Sequence, residues 1–163
     1  MGNNTERRSN MTHWLDDVQE LTLKGQIKMP YTWSVGEVGS RFLIALRDEQ
    51  KILGNRCAAC DTVYVPPRKN CGACFTDIGE DDWLEVSAEG VVTAHTIVRY
   101  EYALQPAKPP FAYAIVRLDG SDVGFMHLIK EGLERLENGA RVRARFKGER
   151  SGHILDIDSF EII

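Results

Sequence analysis

The chain has 163 residues, 43% of them hydrophobic, and its 20 Lys and Arg against 24 Asp and Glu leave a formal charge of −4 at neutral pH. That apolar content supports a packed core and excludes wholesale disorder, in one domain or two small ones. Mild acidity argues against a general nucleic-acid binder, which is ordinarily basic, and no apolar run approaches the roughly 18 residues of a membrane span.

Residues 1–10 are polar and charged and lack the apolar stretch of a secretory signal, which points to a cytoplasmic protein. Over residues 12–23, Trp14, Leu15, Val18 and Leu21 fall near helical spacing, with Thr12 as cap and Lys24-Gly25 as stop. This short amphipathic helix either packs on its own domain or docks on another protein. Residues 26–40 are aromatic and turn-rich, with Pro30, Tyr31, Trp33, Gly36 and Gly39. Aromatics in an irregular segment serve as interface anchors or as lids over a small core. Trp14, Tyr31 and Trp33 are therefore the candidate partner-facing residues. Ser40 opens a second predicted helix over residues 41–50, whose apolar side is Phe42, Leu43, Ala45 and Leu46.

The four cysteines of the chain follow as Cys57-Ala-Ala-Cys60 and Cys71-Gly-Ala-Cys74, a C-x2-C-x10-C-x2-C frame. Two tight turns at this spacing present four thiolates to one ion. Two disulfides or four free thiols are the alternatives, but disulfides belong to oxidising compartments. An all-thiolate tetrahedral site favours structural Zn2+ over iron. Four protein ligands close the shell, so the metal is structural and not catalytic. Asp61 and Phe75 follow the two pairs, where a knuckle often uses glycine. Asp61 tolerates a left-handed conformation; Phe75 is less suited, which predicts a distorted second knuckle. Between the pairs, residues 62–65 form a short strand ended by Pro66 and Pro67. Arg68 and Lys69 sit beside the metal on the loop, either solvated or in contact with a phosphate or carboxylate.

The acidic Glu80-Asp81-Asp82 reads as a linker. Strands are predicted over residues 83–87, 91–100, 111–118, 123–129, 140–146 and 153–163, with turns at Asp119-Gly120 and Asn138-Gly139 and a short helix or helical turn over 130–137. A five-stranded barrel with a helical insert between its third and fourth strands is an OB-fold pattern; an SH3-like barrel is the competitor. The predicted organisation is mainly β with N-terminal helices: a helical segment over 1–54, a rubredoxin-like zinc ribbon over 55–80 and an OB-fold barrel over 81–163.

Two runs carry a resemblance: FLIALRDEQKILGNRCAACDTVYVPPRKNCGACF and WLEVSAEGVVTAHTIVRY, followed by FAYAIVRL and the segment from Asn138 to Val142. The chain resembles the zinc-ribbon plus OB-fold proteins long catalogued as a domain of unknown function and associated with acyl-CoA metabolism, over about residues 30–163. The cysteine frame is unspecific by itself; the order helix, VPPR-bearing ribbon and Trp-initiated barrel is more telling. The resemblance implies a non-catalytic subunit bound to a thiolase-fold enzyme, or to a hydratase-like or aldolase-like one, with the ribbon and N-terminal helices toward the partner and acyl-CoA near the barrel. The stretch Pro30-Tyr31-Thr32-Trp33-Ser34-Val35-Gly36 is similar to the thiolase-partner branch, one setting of which is cleavage of 2-benzoylsuccinyl-CoA in anaerobic aromatic degradation.

Residue chemistry agrees that the chain is not itself the catalyst. A thiolase needs a cysteine nucleophile beside a histidine, and all four cysteines are committed. His13, His95, His127 and His153 are scattered, without a metal-binding or protease frame, and no nucleophile elbow, phosphate loop or dinucleotide fingerprint appears. Arg141, Arg143 and Arg145 alternate along one strand and so share a face, which either holds CoA phosphates or an acidic partner or is balanced by nearby acids such as Glu134, Glu137 and Glu149. Two other functions stay open. One is an OB-fold nucleic-acid module stacking bases on Tyr100, Tyr102 and Phe111. The other is a free-standing acyl-CoA-binding scaffold.

Overall fold

A computed structural model describes Thr22 and residues 31–163 of the chain. The helix predicted over residues 12–23, with Trp14, lies outside the described residues apart from Thr22. Two compact units are resolved by contact, Met1–Trp33 and Ser34–Ile163. Within the first, Tyr31 and Trp33 are exposed. The second holds one helix and eight strands.

Helix α1 spans Gly36–Asp48, five residues earlier than the start expected at Arg41 with Ser40 as its cap. Ser40 fails as a cap because its hydroxyl donates back to the Gly36 carbonyl at 2.6 Å, a bond within the helix rather than at its end. Phe42, Ala45 and Leu46 are its buried residues. After it, residues expected only to lead into the cysteines form strand β1, Ile52–Arg56. Strand β2, Val63–Tyr64, pairs with β1 inside the knuckle loop.

The strand expected to open the barrel does not join it. Strand β3, Trp83–Val86, pairs antiparallel with β1 from Ile52↔Val86 to Asn55↔Trp83, so the ribbon sheet has the order β2-β1-β3. Gly54 stands at the centre of that sheet. A Cβ on it would lie 2.8 Å from the Tyr64 carbonyl oxygen and 2.9 Å from a Val86 methyl, so only glycine lets the three strands approach this closely. The acidic segment Glu80–Asp82 is a single 3-10 turn.

The barrel is built from β4 (Glu89–Val98), β5 (Phe111–Leu118), β6 (Gly124–Ile129), β7 (Arg141–Phe146) and β8 (Ile157–Ile162). These close in the order β4-β5-β6-β8-β7, the OB arrangement. The helix or helical turn expected over 130–137 is a 3-10 turn at Leu133–Arg135, and the closing strand is preceded by another at Ile154–Asp156. A bulge between Val92 and Ala94 bends β4, which lets it pair with β5 along its length and with β7 at Glu89–Val91 only. The β6–β8 closure is parallel and rests on one bridge, Ile129↔Phe160.

Ribbon and barrel share one apolar core. Phe42 and Leu46 of α1, Ile52 and Val65 of the ribbon, and Val92, Ile129, Val142 and Phe160 of the barrel belong to a single buried cluster. The β5–β6 turn clamps the ribbon from below. The Val63 amide donates to the Asp122 carboxylate at 2.8 Å, and the Asp122 amide donates to the Val63 carbonyl at 3.1 Å.

A candidate metal centre in the ribbon

The two knuckles are built alike. The Cys57 amide donates to the Thr62 carbonyl (2.9 Å) and Asp61 to the Cys57 carbonyl (2.8 Å); Cys71 to Thr76 (2.8 Å) and Phe75 to Cys71 (3.1 Å) repeat the pattern. Asp61 and Phe75 both take φ of 62°, the left-handed position that closes each turn. The distortion expected at Phe75 is therefore absent: the backbone bonds form, and the side chain stands exposed in solvent where its bulk meets nothing.

These turns converge all four Sγ atoms within 4.8 Å of one another. The separations Cys57–Cys74 and Cys60–Cys71 are 3.5 Å, and Cys60–Cys74 is 3.9 Å. A tetrahedron of thiolates about 2.3 Å from a zinc ion has edges of about 3.8 Å, so the sulfur cluster has the right size for Zn2+. None of the four forms a disulfide. Cys57 and Cys71 are buried, while Cys60 and Cys74 are exposed.

Residues around the sulfurs tune them. Burial pushes the Cys57 thiol up to about 11, against backbone donors from Ala59 and Cys60. Cys71 moves the other way, to about 5, chiefly because the Tyr64 hydroxyl donates to its sulfur at 3.3 Å. Tyr64 accepts from the Gly72 amide at 3.1 Å, which leaves its own proton for the sulfur. The Thr62 and Thr76 hydroxyls lie 3.3 Å from Cys60 and Cys74. Such outer contacts orient metal ligands and bias thiolates toward ionisation. The threonines had a signal in the repeated C-x2-C-x-T spacing. Tyr64 had none, because a strand tyrosine reads as core. Asn55 was equally silent. It is fully buried, donates to the Arg68 carbonyl at 2.6 Å and accepts from the Arg68 amide at 3.1 Å, so it fastens the Pro66-Pro67 loop that delivers Cys71.

The remaining candidates are dispersed. The Arg68 guanidinium stacks 5.1 Å over the Tyr64 ring. Lys69 lines a cleft of about 250 Å³ with Glu37, Arg41, Ile78 and Trp83, in which the Arg41 guanidinium lies 4.3 Å over the Trp83 ring. Arg141, Arg143 and Arg145 do share a face, and each meets a carboxylate: Arg141 pairs with Glu89 and Asp119, Arg143 with Glu89, and Arg145 with Asp158 and Glu131. None of these acids was among those expected to balance them. Of the stacking candidates, Tyr100 and Tyr102 are exposed but Phe111 is completely buried, because it begins β5 facing Val98 and Leu128. His95 is exposed and contacts Asn138 at 3.1 Å.

Residues 45–78 match the family described as the ChsH2 rubredoxin-like zinc ribbon domain, and residues 83–147 match the ChsH2 C-terminal OB-fold domain. Both matches are to ChsH2-type domains. The ChsH2 ribbon match encloses all four cysteines, and the ChsH2 barrel match begins at Trp83, on the strand that pairs with the ribbon. Among solved structures, a DUF35 family protein of unknown function from Sulfolobus solfataricus is 25% identical, with a TM-score of 0.55 over 68% of this chain and 77% of that one. The Ltp2-ChsH2(DUF35) aldolase is 19% identical, with a TM-score of 0.57 over 74% of this chain and 92% of that one, a likeness of fold. No curated protein matches the chain. Among the described residues, no helix is long and apolar enough to cross a membrane.

Proposed function

We propose that this chain is a zinc-holding, non-catalytic accessory subunit of a thiolase-type complex acting on acyl-CoA thioesters. The observation that carries the reading is the fate of its cysteines. All four in the sequence meet in one metal-type cluster, so no thiol remains to form an acyl-enzyme. The ChsH2-type pairing of ribbon and barrel supports a partnered role, and the aldolase named for Ltp2 and ChsH2 together supplies a precedent for a two-protein assembly. In this reading zinc stiffens the ribbon, and the exposed knuckle edge with Trp14, Tyr31 and Trp33 meets the catalytic partner. Arg68 and Lys69 are the cations open to a CoA phosphate. Arg141, Arg143 and Arg145 would first have to exchange the carboxylates they already hold. The setting is cytoplasmic, and 2-benzoylsuccinyl-CoA is the substrate to try first.

The test is affinity purification of the tagged chain from its native cells, with metal measured on the same sample. A thiolase-fold partner with about one zinc per chain is the expected result. Zinc with no protein partner, or with bound nucleic acid, overturns the reading. Adding 2-benzoylsuccinyl-CoA to the purified complex then tests the substrate separately from the assembly.

A further inference from the structure

The weakest closure of the barrel is the parallel junction of β6 and β8, with its one bridge. Three other contacts hold it. His127 of β6 is buried and its Nε2 donates to the Ile154 carbonyl at 3.2 Å, which ties β6 to the 3-10 turn that launches β8. Its ring lies against Phe125, stacked at 5.7 Å, and against Phe160 of β8, edge-on at 5.8 Å. Lys130 pairs with Asp158 at 2.6 Å across the same junction. With Nε2 donating, Nδ1 is a bare acceptor, and it is buried with no hydrogen-bond partner.

A proton taken up by His127 must go to that Nδ1. It would create a buried cation: backbone contacts with Ile154 and Leu128 favour the charge, but burial outweighs them, and folded proteins avoid such a group. The charged groups nearby do not compensate. Just past the end of β6, Lys130 opposes a second positive charge. On β8, Asp158 favours it but is already shared between Lys130 and Arg145 of β7. In the turn, the Asp156 carboxylate is taken by the amides of Ser151, Gly152 and His153 at 2.7–3.2 Å. His153 is exposed and accepts from the Leu155 amide through Nδ1. Ala114, the residue opposite on β5, has no charge. Burial accordingly holds the His127 imidazole below its ordinary value.

We propose that His127 is a protonation latch: neutral, it holds the Ile154–Asp156 turn and closes the β6–β8 junction; charged, it releases both. The turn also touches α1, and Arg150 beside it donates to the Arg47 carbonyl at the helix end (2.6 Å). Release would therefore loosen the seat of α1 as well as the barrel.

The sign follows from linkage. A histidine whose folded value is depressed lends full stability above the free-imidazole value of about 6.5, and that stability is lost as pH falls below it toward the folded value. The experiment is NMR amide exchange on the zinc-loaded full chain at pH 7.5, 6.5 and 5.5, corrected for intrinsic rates, with zinc content checked at each pH. Protection over residues 154–160 is expected to fall about tenfold per pH unit below 6.5, while the centre of β5 changes much less. His127→Gln should abolish the pH response, and His153→Asn should keep it. A uniform change across the barrel, a response that survives His127→Gln, or one that disappears in His153→Asn overturns the latch. If His127→Gln does not fold, the ring carbon–proton signal of wild-type His127 decides: titration at or above pH 6.5 refutes the proposal, and titration below it supports it.

Discussion

Replacing Asn55 with Ala should destabilise the ribbon more than any other polar substitution among the described residues. The side chain is completely buried and satisfies both the donor and the acceptor of the Arg68 backbone, at 3.1 and 2.6 Å. Each lost bond costs about 1 kcal/mol if water replaces it, and about 1–3 kcal/mol if the backbone group stays dry. Arg68 is itself exposed, so partial rehydration sets the total at roughly 2–4 kcal/mol. At about 2–4 °C per kcal/mol for a chain of this size, the melting midpoint should fall by roughly 4–16 °C. Asn55→Asp is the companion variant. It keeps an acceptor for the Arg68 amide but turns a lone pair toward the Arg68 carbonyl, so it should not rescue. Urea unfolding with saturating zinc reads both variants. A loss under about 0.5 kcal/mol for Asn55→Ala, the size of an ordinary surface change, would refute the claim that this residue fastens the Cys71 loop.

Cys57→Ser removes a buried ligand and should abolish zinc binding and unfold the ribbon, as should chelation of the wild type; metal analysis with circular dichroism reads both, and retained zinc in Cys57→Ser counts against the site. Phe160→Ala empties a buried ring at the barrel's weakest junction and should cost about 3–5 kcal/mol in chemical unfolding. Gly90→Ala drives a methyl group into the Arg117 carbonyl oxygen of the neighbouring strand, and a loss of about 1–3 kcal/mol is expected. Asp156 adds a pH dependence. Burial would raise its carboxyl, but the amides of Ser151, His153 and Gly152 outweigh it and hold it below the usual range. Its stabilisation is thus present above about pH 3.9 and lost as pH falls through the folded value. Asp156→Asn should flatten that acid limb of the stability curve.

The parts of this fold that were legible in the sequence are those written in local chemistry. Cysteine spacing located the cluster of four thiols, and Asp119-Gly120 and Asn138-Gly139 located turns whose glycines take φ of 91° and 97°. Alternation placed Arg141, Arg143 and Arg145 on one face. What failed depended on distant partners. Residues 52–56 carry Gly54 and Asn55, poor strand formers, and become a strand only because β2 and β3 flank them. Trp83–Val86 alternates like any barrel strand, and nothing local says which sheet will take it. Phe111 and Tyr100 look interchangeable as surface aromatics until the packing of β5 buries one and leaves the other in solvent. The ligand environment of Tyr64 and the carboxylates facing the arginines are likewise products of topology.

The strand Trp83–Val86 also bears on how such a chain can be cut and recombined. A splice at residue 81, where the acidic turn reads as a seam, would leave the ribbon with two strands and orphan the edge of β1. A splice at Ser87 keeps the three-stranded sheet whole and parts the chain where it passes from one sheet to the next. The heritable module of this metal centre is therefore longer than its cysteine frame. Any exchange of ribbons between relatives has to carry the tryptophan strand with it.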